Sequence, residues 1–219
     1  LLFKERTNSA QLVQCKQYSH ASSAKPVEQK THYFQIAMRR KGQYLVTSTV
    51  PIYKNPWIEV TEDRVIRPDQ TDGIFGLVDM KDGVAILPVL PDGQVILGKE
   101  YKYAQQKEMI EVIGGGIDAN EWIDEAACRE LAEEAGVKAG RLMYLGPTDP
   151  FTTLVRTRDH LFIATELEAL PAKPDTDDFV EPITIALKTA VEYVLTGKIT
   201  HTTSCLLILR GMLAFPQFK

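Results

Sequence analysis

The sequence predicts an α+β sandwich, and three observations carry that prediction. Short runs in which β-branched and aromatic residues alternate with polar ones crowd the stretch 44–113, too close together for the strand–helix–strand rhythm of a doubly wound parallel sheet. One amphipathic helical segment, about 122–135, interrupts them. Two further segments with apolar residues at helical spacing, about 188–197 and 203–214, close the chain. With 219 residues, 44% of them hydrophobic, the chain can bury the core of one domain plus a small appendage without disulfides or structural metal.

Residues 1–37 are rich in Ser, Gln and Lys, show no clear period, and are read as an N-terminal extension on which no function rests. Residues 38–72 are expected to form a small β subdomain, with strands at 44–53 and 57–66. The main domain is expected over 73–219. It opens with a strand at 74–80, then a hairpin of 84–90 and 94–101 around Pro91-Asp92-Gly93, where Pro sets φ and Gly accepts a positive φ. The run 109–113 is a strand that ends in three glycines, Gly114, Gly115 and Gly116. After the helix, closed by Gly136 as its C′ residue, strands are expected at 141–146, 160–167 and 179–187.

Charge and composition narrow the function classes. The net charge is −4, with 25 basic and 29 acidic residues, and no basic stripe stands out, so nucleic acid is not an expected partner. No apolar run approaches the roughly 20 residues of a membrane helix, and no membrane partner is expected. Three cysteines without CxxC spacing make a disulfide framework or a zinc site unexpected and point to a reducing, cytoplasmic compartment.

The helix at 122–135 carries the chemistry. On a helical wheel that starts at Ile123, Ala126, Ala127 and Leu131 fall on one side and define an inward apolar stripe. Glu130 and Glu134 fall within that stripe, one on either side of Ile123, and Glu133 falls at its edge beyond Ala126. Burying a carboxylate unpaired costs several kcal/mol or forces protonation. A divalent cation would remove the conflict, because hard oxygen ligands suit Mg²⁺ or Mn²⁺. Arg129 lies one turn from both Glu125 and Glu133 and can pair with either. The glycines before the helix allow a backbone carbonyl or a phosphate to approach closely. A short glutamate run by itself usually reads as a solvated helix face. The full pattern is longer: Gly115, five residues, Glu121, seven residues, then Arg129 through Val137. By average residue usage it arises by chance on the order of once in 10⁷ chains of this length.

Gly115–Val137 resembles the complete signature box of the Nudix hydrolases, with every fixed position matched. The resemblance implies a strand–loop–helix–loop box in an α/β/α sandwich with a mixed sheet. It implies Mg²⁺-assisted attack of water on a nucleoside diphosphate joined to another group. It implies Glu130, Glu133 and Glu134 as metal ligands together with the main-chain carbonyl of Gly114, Glu133 and Glu134 with catalytic duty, and Arg129 and Glu121 as braces of the helix.

From Trp57 to Val180 the chain is similar to the ADP-ribose pyrophosphatase branch. Asn55–Val60 resembles its opening strand, Val89–Glu100 its central hairpin, and Glu111–Asp118 its approach to the box. Tyr101-Lys102-Tyr103 stands where that branch has an aromatic–Arg pair, so charge is kept while bidentate phosphate contact is lost. Pro150 matches the branch's marker proline after a small gap. Lys173–Glu181 resembles its catalytic loop, with Asp178 in place of the glutamate that orients or deprotonates water. Trp57 and Phe75 are read either as stacking faces for a base or as plain packing. The resemblance thus implies hydrolysis of ADP-ribose to AMP and ribose 5-phosphate by a homodimer. Other nucleotide sugars such as GDP-mannose, dinucleotides, and a non-catalytic ADP-ribose sensor are the alternatives; the intact glutamates argue against the sensor.

Overall fold

The computed structural model describes residues 12–13, 38–171 and 180–218. It divides into two compact units. One comprises Asp82–Pro150 and Arg158–Lys219 and takes in the strand β1 (Leu12–Val13); the other runs up to Lys81 and includes Phe151–Thr157.

The second unit is a five-stranded sheet. Its strands are β2 (Arg39–Lys41), β3 (Tyr44–Lys54), β4 (Ile58–Ile66), β5 (Asp72–Met80) and the short β10 (Val155–Arg156), in the order β10-β5-β4-β3-β2. The expected subdomain 38–72 stops short of β5. In the structure β5 belongs to this sheet because it pairs with β4 from Ile58↔Met80 to Ile66↔Asp72. Among the described residues of this unit, Asp63 is the buried charge. It accepts a hydrogen bond from Thr49 Oγ1 at 2.5 Å and pairs with Lys41 Nζ at 3.2 Å. Burial opposes its ionisation, but Thr49, Lys41 and Arg39 together hold the carboxyl below its ordinary value.

The first unit is a seven-stranded mixed sheet. Besides β1, its strands are β6 (Gly83–Pro88), β7 (Gln94–Lys102), β8 (Lys107–Gly116), β9 (Val137–Thr148), β11 (Asp159–Ala169) and β12 (Glu181–Ala186). They lie in the order β1-β9-β11-β6-β8-β7-β12. β11 and β6 run parallel, while the other pairs of this sheet are antiparallel. The pleat sends alternate residues to opposite faces. From β6, Val84 and Ile86 enter one core with α1 (Ile123–Glu134), while Ala85 and Leu87 enter a second core with α2 (Leu187–Leu195) and α3 (Thr202–Ala214). β7, β8 and β11 divide in the same way, Leu161 and Ile163 to one side, Phe162 and Ala164 to the other. Helices therefore cover both faces, as in an α/β/α sandwich, and the continuous apolar runs of the central strands follow from burial on both sides.

Two further details sharpen the sequence reading. β8 runs from Lys107 to Gly116, so the strand takes in the three glycines in which it ends. Cys205 is a free thiol, but Cys128 is disulfide-bonded, against the expectation of no disulfide. Bonding depends on how closely two cysteines approach in space, which their spacing along the chain does not report.

Candidate active site

α1 forms as the sequence pattern requires. Ala126, Ala127 and Leu131 are fully buried, and Glu130 is buried with them at 7% exposure. Glu125 accepts the Trp122 N–H at 3.1 Å, which caps the first turn. Gly136, at φ +62°, takes the left-handed conformation that stops the helix.

Arg129 is the hub of the helix. Its Nε and Nη2 donate to Glu121 at 2.8 and 3.0 Å, and Nη2 also donates to the Gly116 carbonyl at 2.9 Å. Its Nη1 donates to Glu130 Oε1 at 2.6 Å and to Glu133 Oε2 at 3.2 Å. The hydrogen bond to Glu121 and the neighbouring Glu130 charge raise the guanidinium pKa against the cost of burial. Burial also opposes ionisation of Glu121, but Arg129 and the Asp118 N–H outweigh it and hold that carboxyl low. Glu125, the other partner open to Arg129 on helical spacing, serves the N-terminal cap instead.

The glycines have specific neighbours. A Cβ on Gly115 would lie 2.6 Å from Glu130 Cδ, and one on Gly114 would run into the Val84 carbonyl oxygen and lie 3.2 Å from Ala85 Cα. Side chains are missing here so that β6 can pair closely with β8 and so that the Glu130 carboxylate can lie over the strand. Glu134 turns to the same strand and accepts the Gly114 N–H at 3.0 Å. Desolvation pushes its carboxyl up to about 7, with the Glu130 charge adding to the rise and the Gly114 hydrogen bond opposing it.

Glu134 and Gly114 line a small cleft with Gly98, Glu100, Lys102, Glu111, Val112 and Val180. Lys102 Nζ is hydrogen-bonded to Glu100 and lies 3.7 Å from Glu111 Oε2. Burial works against its charge, but Glu100, Glu111 and Glu134 outweigh that and raise its pKa. The sequence pattern does not single out Glu100 or Glu111. The available signal is Glu111 within the apolar run 109–113, a charge inside a central strand. Among the described residues, no group of three His, Cys, Asp or Glu side chains is arranged to hold a metal ion. Arg129 engages both Glu130 and Glu133 while Glu134 turns to a backbone amide, so the three carboxylates divide between two partners.

Pro150 follows β9 in the first unit and is half-buried. Trp57 and Phe75 belong to the other unit. Trp57 is 70% exposed, beside a turn in which Asn55 Oδ1 accepts the N–H groups of Trp57 and Ile58. Phe75 packs edge-on against Tyr44, ring centroids 5.2 Å apart. Asp178 lies outside the described residues.

This architecture, with the box helix laid over a glycine-bearing strand, is that of a Nudix-type hydrolase. A NUDIX domain model matches residues 79–193, and a nucleoside diphosphate sugar hydrolase N-terminal domain model matches 46–78. The chain belongs to the Nudix family. It is 29% identical over 145 residues to an ADP-ribose pyrophosphatase of Bacillus subtilis (strain 168), covering 65% of this chain and 78% of that one. It is 24% identical over 151 residues to a methanol dehydrogenase activator of Bacillus methanolicus, covering 67% and 80%. A crystal structure of an ADP compounds hydrolase superposes with a TM-score of 0.69 at 17% identity, over 83% of this chain and 100% of that one, which shows a shared fold.

Proposed function

We propose that the chain hydrolyses the diphosphate bond of a nucleoside diphosphate sugar, ADP-ribose above others, to AMP and ribose 5-phosphate, as a cytoplasmic homodimer dependent on Mg²⁺ or Mn²⁺. The observation that carries this reading is the carboxylate cleft. Glu134 is held next to Glu130 in a desolvated place where its pKa rises to about 7. Such a cluster is stable when a cation shares it, and its donors are the hard oxygens that Mg²⁺ takes.

Glu130, Glu133, Glu134 and the Gly114 carbonyl would hold the ion. When bound, it would supply charge that polarises phosphorus and lowers the pKa of water. The chain's own groups do the rest. Arg129 and Glu121 keep α1 in place over β8. The Lys102 ammonium, kept charged by its acidic neighbours, is assigned to the diphosphate. The clustered carboxylates Glu133 and Glu134 are assigned to take the proton of the attacking water, and Asp178 is assigned to orient that water. Trp57 and Phe75 are assigned to the base and Pro150 to the substrate pocket. The similarity to an ADP-ribose pyrophosphatase supports the choice of leaving group, and the match of 46–78 to the N-terminal domain of nucleoside diphosphate sugar hydrolases supports the sugar class.

The test is incubation with Mg²⁺ and a panel of ADP-ribose, GDP-mannose, other nucleotide sugars and dinucleotides, with products followed by chromatography. ADP-ribose turnover at the highest kcat/KM is expected. Preference for a guanine sugar would overturn the ADP-ribose assignment, and no turnover of any diphosphate would overturn the enzyme reading.

A further inference from the structure

The geometry points to His201 as a positioning residue for the cleft: backed by Ser204, it holds Glu111, and through Glu111 it sets the place of Lys102.

The inference starts in the sheet. β6 and β8 pair from Gly83↔Gly116 to Ile86↔Ile113, and the ladder stops there. Val112 is the next residue of β8. Its N–H donates instead to Ser204 Oγ, 3.0 Å away and fully buried, on the first turn of α3. α3 thus closes the gap where the two strands part. Ser204 alone would be a structural stitch, satisfying an amide that has lost its ladder partner. Ser204 Oγ, however, also lies 2.9 Å from His201 Nδ1. The same Nδ1 lies 3.5 Å from Glu111 Oε2, and that oxygen is the one 3.7 Å from Lys102 Nζ.

Glu111 therefore stands between the Lys102 ammonium from β7 and the His201 ring from the residue before α3. Both contacts fall on one oxygen, so the ring on one side bears on where the carboxylate leaves the ammonium on the other. Of the acidic neighbours of Lys102, Glu100 and Glu111 are in ion-pair contact with it and compete for it. An ammonium held only by Glu100 would shift along β7, away from Glu111. His201 makes no described contact with Glu134 or Gly114, so its removal reaches the carboxylates of α1 only through Lys102. The role assigned to Lys102 rests on the proposed function, whereas the contact between His201 and Glu111 does not.

Two measurements test the proposal. With ADP-ribose and Mg²⁺, His201→Ala is expected to raise KM about fivefold with kcat within about twofold, the pattern of lost ground-state binding. His201→Asn, whose amide can replace Nδ1 and which also caps a helix well, is expected to restore KM. Glu111→Gln combined with His201→Ala is expected to show the KM of Glu111→Gln alone. A KM unchanged in His201→Ala, or unrestored in an Asn variant that melts like the wild type, would overturn the positioning role. The second measurement is independent of turnover. The ¹⁵N resonance of the His201 ring is expected to shift in Glu111→Gln, and no shift would overturn the contact itself. A wild-type protein inactive on every diphosphate would overturn the proposed function, and the ¹⁵N shift alone would then decide the positioning role.

Discussion

Replacing Gly115 by alanine is expected to disable the site through Glu130. The new Cβ would lie 2.6 Å from Glu130 Cδ and 2.8 Å from Oε2. Ordinary carbon contacts begin at about 3.5 Å, so the carboxyl must retreat by about 1 Å. A surface glutamate would simply rotate away. Glu130 is buried and tied to Arg129 Nη1 at 2.6 Å, and Arg129 in turn holds Glu121, Glu133 and the Gly116 carbonyl. Overpacking of this kind costs roughly 2 kcal/mol, which for a chain of this size lowers the melting temperature by about 4–8 °C. A misplacement of about 1 Å at a reacting centre is enough for a loss on the order of 100-fold in kcat. The assays are thermal unfolding and steady-state kinetics on ADP-ribose with Mg²⁺. A Glu130→Ala background removes the obstacle, so adding Gly115→Ala there is expected to cost less than about 0.5 kcal/mol. Wild-type melting and kcat in Gly115→Ala, or equal stability costs in the two backgrounds, would refute the reasoning.

Further predictions concern ionisation and buried polar groups. Glu134→Gln is expected to lower kcat by roughly 100-fold or more, and near-wild-type activity would refute its assignment. Without metal, burial pushes the Glu134 carboxyl up to about 7 from an ordinary 4.5, and EDTA keeps the protein in that form. Between those values the unfolded chain loses the proton first, so the stability of the metal-free protein should fall as pH rises through that window and then level off. Denaturation midpoints measured from pH 4.5 to above pH 7 should show a slope that is flattened in Glu134→Gln; identical slopes would count against the shift. Mg²⁺ binding within that pH window, measured by calorimetry in buffers of different ionisation enthalpy, should release protons. Asp63→Ala is expected to cost about 1–3 kcal/mol, and because the folded Asp63 carboxyl is held low, its contribution is present above the unfolded value and lost as acid titrates it. A urea midpoint shift equivalent to under about 0.5 kcal/mol would contradict this. Ser204→Ala leaves the buried Val112 N–H without a partner and should cost about 1–3 kcal/mol by the same measurement.

The longer strands, the three helices and the box are legible in the sequence because each rests on local periodicity or fixed spacing, whereas β1, β2 and β10, two or three residues each, are too short to show a period. Glu130 stands out as a carboxylate on an apolar stripe, and it is buried as that position demands. Arg129 is legible as a brace and Glu133 as one of its partners, but its other partners are not. Helical spacing offers Glu125 and Glu133, and the structure selects Glu121, Glu130 and Glu133. Glu121 precedes the helix, so no wheel can place it.

What the sequence determined by itself is therefore the class: an α+β sandwich with a Nudix box, readable from residue types at fixed separations along one segment. What only the tertiary structure decided is the company those residues keep. Gly115 is needed because Glu130 returns onto the strand that leads to its own helix. Glu134 is raised toward neutrality because β7 and β8 bury it beside Glu130. Glu111, Lys102, His201 and Ser204 meet because the ladder between β6 and β8 ends at Ile113 and α3 fills the gap. Local propensity acts over a turn or a strand, whereas desolvation and charge pairing depend on distance in space, and the chain folds residues far apart in sequence to within a few ångströms.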